Sequence, residues 1–464
     1  MIRPKIGLLA LSLELYESLA PGLRQNRDAW VRKAVIPALE KQAQVLFGGG
    51  VFTREGVDAQ VASFEAAGVD AICVLLLTYA PSQIALPALA RTRLPILIWN
   101  TQELAGVDNA YGDAELTNNH GVHGTQDLAN VLVRSGVRFQ YVTSHLGDSG
   151  GVKGLGDFAV AAAAVGRLRR ARLGLLGYPF PGMGDFALDT TYLAGSLGCQ
   201  WSQLSVEEYI LRAQAADTAA VATLVQEYRR LYDVAADVTQ GDLASTARVE
   251  IALRGMVADN RVDGFTYQFM AFGQDERTPT VPFVAASRMM ADGIGFGGEG
   301  DLIGAAGTCL LHWLQAPASF SEIFTIDFAG NSVFMSHMGE ANVAMARRGQ
   351  KVPLVARSSP ITRTRDRQLA LVTNLQPGPA TLSALTQGPG NRWRLICSSM
   401  QIVDFGPLPL ASPHFKLAPR GDVREFLTAY AKAAGPHHNA VCFGDARARL
   451  RLAAELLDAD YIEI

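Results

Sequence analysis

Apolar runs alternate with helix-like segments from the N-terminus to about residue 176. The runs are rich in Val, Ile and Leu and read "KIGLLALS", "VDAICVLLLTY", "LPILIWNT", "VRFQYVTSH" and "ARLGLLGYP". Between them, stretches such as "GVDAQVASFEAAG" and "GTQDLANVLVRSG" have helical spacing, and each ends in a glycine that suits a helix C-terminus. Continuous apolar strands that alternate with helices predict a parallel sheet covered on both faces.

The pattern changes twice further along the chain. The segment "GYPFPGMGDFALD" (residues 177–189) is rich in Gly and Pro and is expected to lead into a second domain. Helical stretches at 205–232 and 239–257 follow, then the strand "GFTYQFMAF" and the helix "FVAASRMMADG". Beyond about residue 313, short β-like segments such as "RQLALVTNLQ", "RWRLICSSMQIVDFG" and "GNSVFMSH" are separated by Pro/Gly-rich turns, before a final helix–strand unit, "ARLRLAAELLDADYIEI".

The predicted fold class is therefore α/β, in three domains. Residues 1–176 are expected to form a flavodoxin- or Rossmann-like domain, and residues 177–312 a middle domain, each with a doubly wound parallel sheet. Residues 313–464 are expected to form a mainly antiparallel β domain.

Composition and charge narrow the class of protein. The 464 residues carry 41 basic and 44 acidic side chains, with no long run of like charge, which argues against a nucleic-acid partner. The five cysteines are far apart and form no C-x-x-C pair, so buried reduced thiols in the cytosol are expected. No apolar stretch is long enough to span a membrane, and the short N-terminal apolar run resembles a first strand rather than a signal peptide. A cytoplasmic location is the expectation.

A glycine motif lies in "ADGIGFGGEGDLIGAAG" (residues 291–307). Gly293, Gly295 and Gly298 have the G-x-G-x-x-G spacing of a dinucleotide-binding turn. That turn requires a strand directly before it, whereas the preceding "AASRMMAD" has helical composition. We therefore interpret the glycines as a tight turn between two helices that presents Glu299. An NAD-dependent sugar oxidoreductase using "GIGFGG" stays open as a less favoured alternative.

Acidic residues and histidines in the second half of the chain form a possible ligand set. Glu299 follows the glycine motif, Glu322 lies in "SFSEIFTIDF", His337 in "MSHMGE", and His437 and His438 in "GPHHNAV". Carboxylates and imidazoles together suit a divalent ion such as Mn²⁺. The long spacings by themselves favour ordinary surface or hydrogen-bonding roles. The glycine-rich and strand-end contexts of these residues favour a cleft.

At these same positions the sequence resembles the L-arabinose isomerase family of the arabinose/fucose isomerase superfamily. The segments "VPFVAASRMMADGIGFGGEGD" (281–301), "SFSEIFTIDF", "GNSVFMSHMGE" and "AGPHHNAVCFGD" look like its four metal-binding segments, in the family's order and at roughly its intervals. Fainter similarity covers "WNTQEL", "ELTNNHGVHGTQDLAN" and "SHLGD", which look like its N-terminal substrate-side loops.

The resemblance implies a metal-dependent aldose–ketose isomerase, which is an intramolecular oxidoreductase. It implies that Glu299, Glu322, His337 and His438 bind a divalent metal, usually Mn²⁺, with His437 as the alternative if the histidine pair is aligned one residue off. Glu299 and Glu322 would also be catalytic, moving a proton between C1 and C2 of an open-chain sugar through a cis-enediol. Two carboxylates suit this reaction because a weakly acidic proton beside a carbonyl must be removed and returned.

The resemblance also implies a substrate pocket and an oligomer. Some pocket residues would reach the site of a neighbouring subunit in a homo-oligomer, for which a hexamer is one candidate size. Met183 and Phe272 could equally be core residues, which is commoner for these types. The pocket-lining residues implied by position are Gln102, His120, His123, Met183, Phe272 and His437.

Two departures from the family bear on the substrate. Leu13 in "SLELY" stands where the family has a glutamine, and "EGDLIG" lacks the Trp-Lys pair that normally follows the first glutamate. L-Arabinose, a hexose, a deoxy-sugar or another modified sugar is therefore a candidate substrate. The alternative is a sugar-binding or regulatory protein on the same scaffold, which would bind its ligand without turnover.

Overall fold

The first apolar runs form a parallel sheet in a computed structural model that describes residues 3–272, 277–357, 364–406 and 408–464. The sheet belongs to a unit that extends to Gly166. Its strands are β1 (Lys5–Leu11), β2 (Gln44–Leu46), β3 (Ala71–Leu76), β4 (Ile96–Asn100) and β5 (Gln140–Thr143). The strand order is β2–β1–β3–β4–β5, and all pairings are parallel. Every residue of β3 is buried, as expected for a central strand with both faces covered.

Helices connect these strands. A π-helical turn at Val31–Val35 joins the second and third helices. The helices are α1 (Leu15–Leu19), α2 (Leu23–Trp30), α3 (Ile36–Leu39), α4 (Arg54–Ala66), α5 (Leu86–Arg91), α6 (Asp113–Asn118), α7 (Val122–Arg134) and α8 (Ser149–Leu168).

A second parallel sheet lies in the unit that extends from Arg167 to Ile464. Its strands are β6 (Arg172–Leu176), β7 (Gln200–Leu204), β9 (Gly264–Tyr267) and β10 (Gly295–Gly297), in the order β10–β9–β6–β7. The apolar run "ARLGLLGYP" therefore belongs to this sheet and not to the first, because β6 pairs with β7 and β9. The helices here are α9 (Thr190–Ser196), α10 (Val206–Gln214), α11 (Thr218–Leu231), α12 (Gln240–Asp259), α13 (Phe283–Ala291) and α14 (Leu302–Leu314).

The remaining strands are mainly antiparallel. They are β8 (Asp233–Val234), β11 (Ala318–Asp327), β12 (Ser332–Ser336), β13 (Pro353–Arg357), β14 (Gln368–Leu371), β15 (Gly378–Gln387), β16 (Trp393–Ile402), β17 (His414–Pro419), β18 (His438–Phe443) and β19 (Asp460–Glu463), with the helices α15 (Val423–Lys432) and α16 (Arg447–Leu457). The larger sheet runs β15–β18–β11–β12–β17–β16–β19, and β15 also pairs with β16, which closes six strands into a ring. A small sheet, β14–β13–β8, accompanies it. Two parallel sheets followed by an antiparallel β region confirm the predicted fold class.

The glycine motif does not form a simple turn between two helices. It contains the short strand β10, which pairs in parallel with β9 and is followed by α14. A side-chain carbon on Gly295 would lie 2.3 Å from Cys309 Sγ, and one on Gly297 would lie 2.2 Å from the backbone oxygen of Asp301. The glycines therefore let α14 pack directly against the strand. The prediction of a turn was wrong because three residues are too few for a recognisable strand pattern.

A buried ion network ties the helices of the middle region together. Arg288 on α13 donates from Nε to Glu250 on α12 and from a terminal nitrogen to Glu227 on α11, both at 2.8 Å. The Glu250 side chain is 0% exposed and that of Arg288 is 11% exposed. The charges of Arg288 and Glu250 are therefore largely shielded from water, and each one compensates the other for its lost hydration.

Two further expectations concern cysteines and membranes. All five cysteines are buried and free, as expected. Among the described residues, no helix combines the length and the apolar character that crossing a bilayer requires.

Candidate metal centre

Three segments of the antiparallel sheet converge at Glu322. On β11, Glu322 pairs with His438 at the start of β18 and with Ser336 at the end of β12. His337 follows Ser336 directly. Residues that face each other in an antiparallel pair have Cβ atoms about 5 Å apart. The sheet register therefore brings together side chains that are far apart in the sequence.

Glu299 approaches this point from the middle region, just after β10. Its φ angle is 58°, a left-handed conformation that is uncommon for residues other than glycine. Its carbonyl accepts a hydrogen bond from Phe180 N at 2.9 Å, and the next backbone nitrogen, of Gly300, donates to Thr266 Oγ1 at 2.9 Å. Both neighbours hold the backbone in this strained conformation, as is common where a side chain is positioned for function.

The side chains form two overlapping groups. Glu322, His337 and His438 each offer one ligand atom, all within 4.8 Å of one another, and so do Glu299, His437 and His438. Glu299 Oε2 is 3.8 Å from Nε2 of both His437 and His438. The structure thus places the four predicted ligands and the alternative His437 in two groups that share His438.

The two buried histidines are each fixed by a carboxylate on the other ring nitrogen. His337 Nδ1 lies 2.6 Å from Glu340 Oε2, and Glu340 also accepts a hydrogen bond from the Tyr267 hydroxyl. His438 Nδ1 lies 3.0 Å from Asp301 Oδ2. Carboxylates that bind one nitrogen of a histidine orient the other nitrogen toward a metal. Nε2 of each ring is therefore the atom available to the centre.

His437 has the same arrangement at the edge of the site. Asp185 Oδ2 accepts from His437 N at 3.1 Å and lies 2.6 Å from His437 Nδ1. Asp185, Glu340 and Asp301 were not predicted from the sequence. Glu340 lies three residues after a predicted ligand and Asp301 two residues after another, so local proximity was a usable signal for those two. Asp185 offered none.

His438 Nε2 is a buried polar atom that has no hydrogen-bond partner in the part of the chain that the structure describes. Its ring is stacked on Phe186, with centroids 5.5 Å apart, and meets Phe320 edge-on at 5.0 Å. Such an atom is costly unless something satisfies it. A divalent cation among these carboxylates and imidazoles would do so, and the donor set fits one.

Gly298, the third glycine of the motif, faces this site. A side-chain carbon there would lie 2.9 Å from both His337 Nε2 and Phe320 Cζ. In a dinucleotide fingerprint, the second glycine lets the pyrophosphate approach the backbone. Here Cys309 packs against the second glycine and His337 against the third. This packing argues against a dinucleotide at the segment.

The charged groups of the site shift each other's pKa. Burial lowers the pKa of His337, but the carboxylates of Glu340, Glu322 and Glu299 together outweigh burial and the net shift is upward. Burial also lowers the pKa of His437, and Asp185 and Glu299 reverse this and raise it to about 10. For Glu299, burial raises the pKa, yet the neighbouring histidines bring it below its usual value. A cation that bound here would displace the protons held by the imidazoles, because histidines bind metals in their neutral form.

The N-terminal residues expected at the substrate lie in the other unit of the chain. His120 Nε2 is 2.9 Å from the Tyr16 hydroxyl. His123 is exposed and stacks on the Tyr79 ring, with centroids 4.9 Å apart. Gln102 is half-buried on the loop after β4. Substrate roles for these residues stay predictions.

Met183 and Phe272 have different surroundings. Met183 is half-buried in the loop after β6, two residues before Asp185. Phe272 is fully buried, with its ring centroid 5.1 Å from that of Tyr209 and 5.7 Å from that of Tyr267. The structure therefore favours a core role for Phe272 over pocket lining, because a fully buried ring offers no surface to a sugar.

Comparison with known proteins matches both parts of the second unit. Residues 189–315 match the model of the L-arabinose isomerase central domain, and residues 317–460 match that of the L-arabinose isomerase C-terminal domain. The L-arabinose isomerase of Acidothermus cellulolyticus is 28% identical over 397 residues, covering 81% of this chain and 77% of that protein. The Nocardioides sp. enzyme of the same name is 28% identical and covers 78% and 73%. L-arabinose isomerase 1 of Bacillus licheniformis is 24% identical and covers 82% and 78%.

Similarity to solved structures is weaker. A solute-binding protein of an ABC transporter from Agrobacterium vitis, bound with α-D-tagatopyranose, is 15% identical and covers 57% of this chain and 76% of that chain. The TM-score is 0.16, which is too low to indicate a shared fold.

Proposed function

Because this chain belongs to the L-arabinose isomerase family, we propose that it is a metal-dependent aldose–ketose isomerase. The reaction would pass through a cis-enediol, with Glu299 and Glu322 as the acid–base pair. The observation that carries the proposal is the convergence of these two carboxylates on His438, whose Nε2 is buried and has no partner among the described residues. A protein that only bound a sugar would not need two carboxylates at one such point.

The proposed ligands of the cation are Glu299, Glu322, His337 and His438, and the expected ion is Mn²⁺. When bound, the cation polarises the carbonyl and neighbouring hydroxyl oxygens of the sugar as a Lewis acid. Glu340 and Asp301 hold the two imidazoles so that Nε2 of each faces the centre. His437 lies beside Glu299 and, as its ring is only half-buried, we assign it to the sugar rather than to the cation.

The two glutamates would divide the proton transfers. One carboxylate accepts the proton from C2 of the open-chain aldose, and the cis-enediol forms. The same carboxylate then returns this proton to C1, which gives the ketose. The other carboxylate moves the hydroxyl proton between O2 and O1, so that atoms and charge balance. The nearby histidines hold the pKa of Glu299 below its usual value, so its carboxylate is ionised, which is the form that accepts a proton.

The substrate is proposed to be a small aldose. The relatives are named for L-arabinose, which is the first sugar to test. Leu302 and Ile303 follow the glutamate turn where the family has a polar Trp-Lys pair, and both are buried in the first turn of α14. We therefore also propose hexoses, deoxy-sugars and other modified sugars as candidates, because this chain lacks the lysine side chain that could contact a sugar hydroxyl.

The decisive experiment is a panel of aldoses and ketoses incubated with Mn²⁺ and followed by NMR. We expect interconversion of one aldose–ketose pair without added nicotinamide. Saturable sugar binding without turnover in the presence of Mn²⁺ would instead indicate a binding protein. A reaction that required NAD would overturn the isomerase mechanism.

We further propose a homo-oligomer in which substrate-side residues of the N-terminal unit serve a neighbouring subunit, and a division into three domains near residues 176 and 312. Light scattering of the purified protein tests the first point, with a monomer at working concentration as the contrary result. Limited proteolysis tests the second, since exposed linkers are cut first.

A further inference from the structure

A cavity lies in the C-terminal β region, where the small sheet meets the start of β17. Its volume is about 460 Å³, which is within the range of small-molecule sites. Its apolar wall includes Val355 on β13, Val372 after β14, and Phe405 and Leu410 on the connection into β17. Leu410 is 43% exposed at the rim. The cavity therefore offers an apolar surface that a ligand could cover.

Four polar residues also line this cavity, and three of them each carry a buried atom with an unused hydrogen bond. Arg347 Nε, Asn374 Oδ1 and His414 Nε2 are shielded from solvent and have no partner among the described residues. Buried polar atoms without partners are rare in native proteins, and leaving one unpaired costs about 1–3 kcal/mol. Three such atoms lie on residues that line this one cavity, where a bound ligand could complete their hydrogen bonds.

His414 is fixed in a defined orientation. Its Nδ1 lies 2.8 Å from the backbone oxygen of Ser412, which can only accept, so Nδ1 carries the hydrogen. Nε2 of the neutral ring is then an acceptor. Arg357 donates to Ser412 Oγ at 2.8 Å, and the Phe334 ring stacks on the imidazole with centroids 5.9 Å apart. The polar wall is thus held in place before any ligand arrives.

The cavity carries no unbalanced charge to attract an ion. The guanidinium of Arg347 is already paired with Asp404 through a terminal nitrogen. The buried atoms of the lining residues that have no partner among the described residues are one donor, Arg347 Nε, and two acceptors, Asn374 Oδ1 and His414 Nε2. Hydroxyl groups both donate and accept, and a ring with an apolar face can lie against Phe405. This combination fits a neutral cyclic polyol or sugar.

We propose that this cavity is a second binding site, separate from the metal centre, for a neutral hydroxylated ring compound. None of the residues that line it belongs to either group of candidate metal ligands. The site is close to the metal centre along the sheet, because His414 pairs with Ser336, the residue before His337. The proposal does not depend on the isomerase activity.

The test uses methyl α-L-arabinopyranoside and methyl β-D-galactopyranoside with the full-length protein. Their acetal carbons cannot open to a carbonyl, so they cannot be turned over at the metal centre. Binding is measured by saturation-transfer NMR and calorimetry in the metal-free protein. We expect saturable binding of at least one glycoside, and at least about tenfold weaker binding in Asn374→Leu and in His414→Phe, because each loses one acceptor.

Glu299→Gln is the matched control, since it alters the metal centre and leaves the cavity intact. Its glycoside affinity is expected to equal that of the wild-type protein. The proposal is overturned if neither glycoside binds, if both cavity variants bind as tightly as the wild type, or if Glu299→Gln abolishes binding. Two cavity variants are used so that a folding defect in one, detected by its melting curve, leaves the other informative.

Discussion

Glu322 on β11 and His438 on β18 are direct partners in the antiparallel sheet. Their proximity is set by main-chain register and not by a flexible loop. A one-residue slip of either strand would turn one of the side chains to the other face of the sheet. The relative position of these two proposed ligands is therefore as rigid as the sheet itself.

The first prediction concerns the proposed acid–base pair. Glu299→Gln and Glu322→Gln should each lower isomerisation at least about a hundredfold, because an amide cannot transfer the proton. The melting temperature of the metal-free protein should change little. Rates are measured by NMR with the sugar identified in the panel, and the exposed Glu425→Gln on α15 serves as the control. Near-wild-type turnover in either variant would remove that residue from the mechanism.

The second prediction is that metal removal abolishes activity and lowers the melting temperature. A cation that binds only the folded chain stabilises it by an amount that grows with the logarithm of its concentration relative to its Kd. Melting curves with chelator and with added Mn²⁺ measure the effect. In His438→Gln the two curves should nearly coincide, because the shared ligand is lost. A wild-type melting curve that does not respond to Mn²⁺ would contradict the proposed site.

The third prediction concerns the carboxylate that contacts Nδ1 of His337. Glu340→Gln should weaken Mn²⁺ binding by about 10–100-fold, because the His337 ring loses its oriented anionic partner. Calorimetric titration of the metal-free protein measures the affinity. Saturating Mn²⁺ should restore part of the activity, which a variant that fails to fold would not show. An unchanged affinity would mean that Glu340 serves the fold alone.

The fourth prediction compares two glycines. Gly298→Ala should displace His337 or Phe320, since the added carbon would lie 2.9 Å from both, and metal affinity should fall. Gly154→Ala is the matched control on α8, where nothing lies within 4 Å of the added carbon. It should stabilise the protein by up to about 1 kcal/mol through helix propensity. Equal metal affinity in the two variants would show that the space near Gly298 is not critical.

The fifth prediction concerns stability away from the site. Arg288→Met should lower the free energy of unfolding by about 3 kcal/mol, because it removes one cation from the fully buried Glu250. Urea unfolding measures the change, with the exposed Arg230→Met on α11 as the control. A loss no larger than in the control would mean that Arg254, which also pairs with Glu250, is sufficient.

Much of the fold could be predicted because its strands are strongly patterned. The continuous apolar run of β3 and the helical spacing of α4 and α7 are local signals, and the structure has each of these elements. The strand β10 was missed because only three residues pair, two of them glycines. The β6 run was assigned to the wrong sheet because sheet membership depends on pairing with β9, which no local pattern reveals.

The candidate site, like the fold, could be predicted from the sequence only in part. Glu299, Glu322, His337 and His438 could be selected because resemblance supplied the set, and sequence spacing alone could not have done so. Asp185 could not be found at all, because its contact with His437 spans 252 positions of sequence. Long-range pairs of this kind are fixed by tertiary packing and not by local propensity.

The ring closed by the pairing of β15 with β16 has a consequence for the motion of the site. A closed sheet has no free edge from which strands can fray, so β11 and β18 have hydrogen-bonded neighbours on both sides. Their amide hydrogens should therefore exchange with solvent only when the whole ring opens. Glu322 and His438 lie on these two strands and form half of the proposed ligand set. They therefore stay close together during local fluctuations elsewhere in the chain.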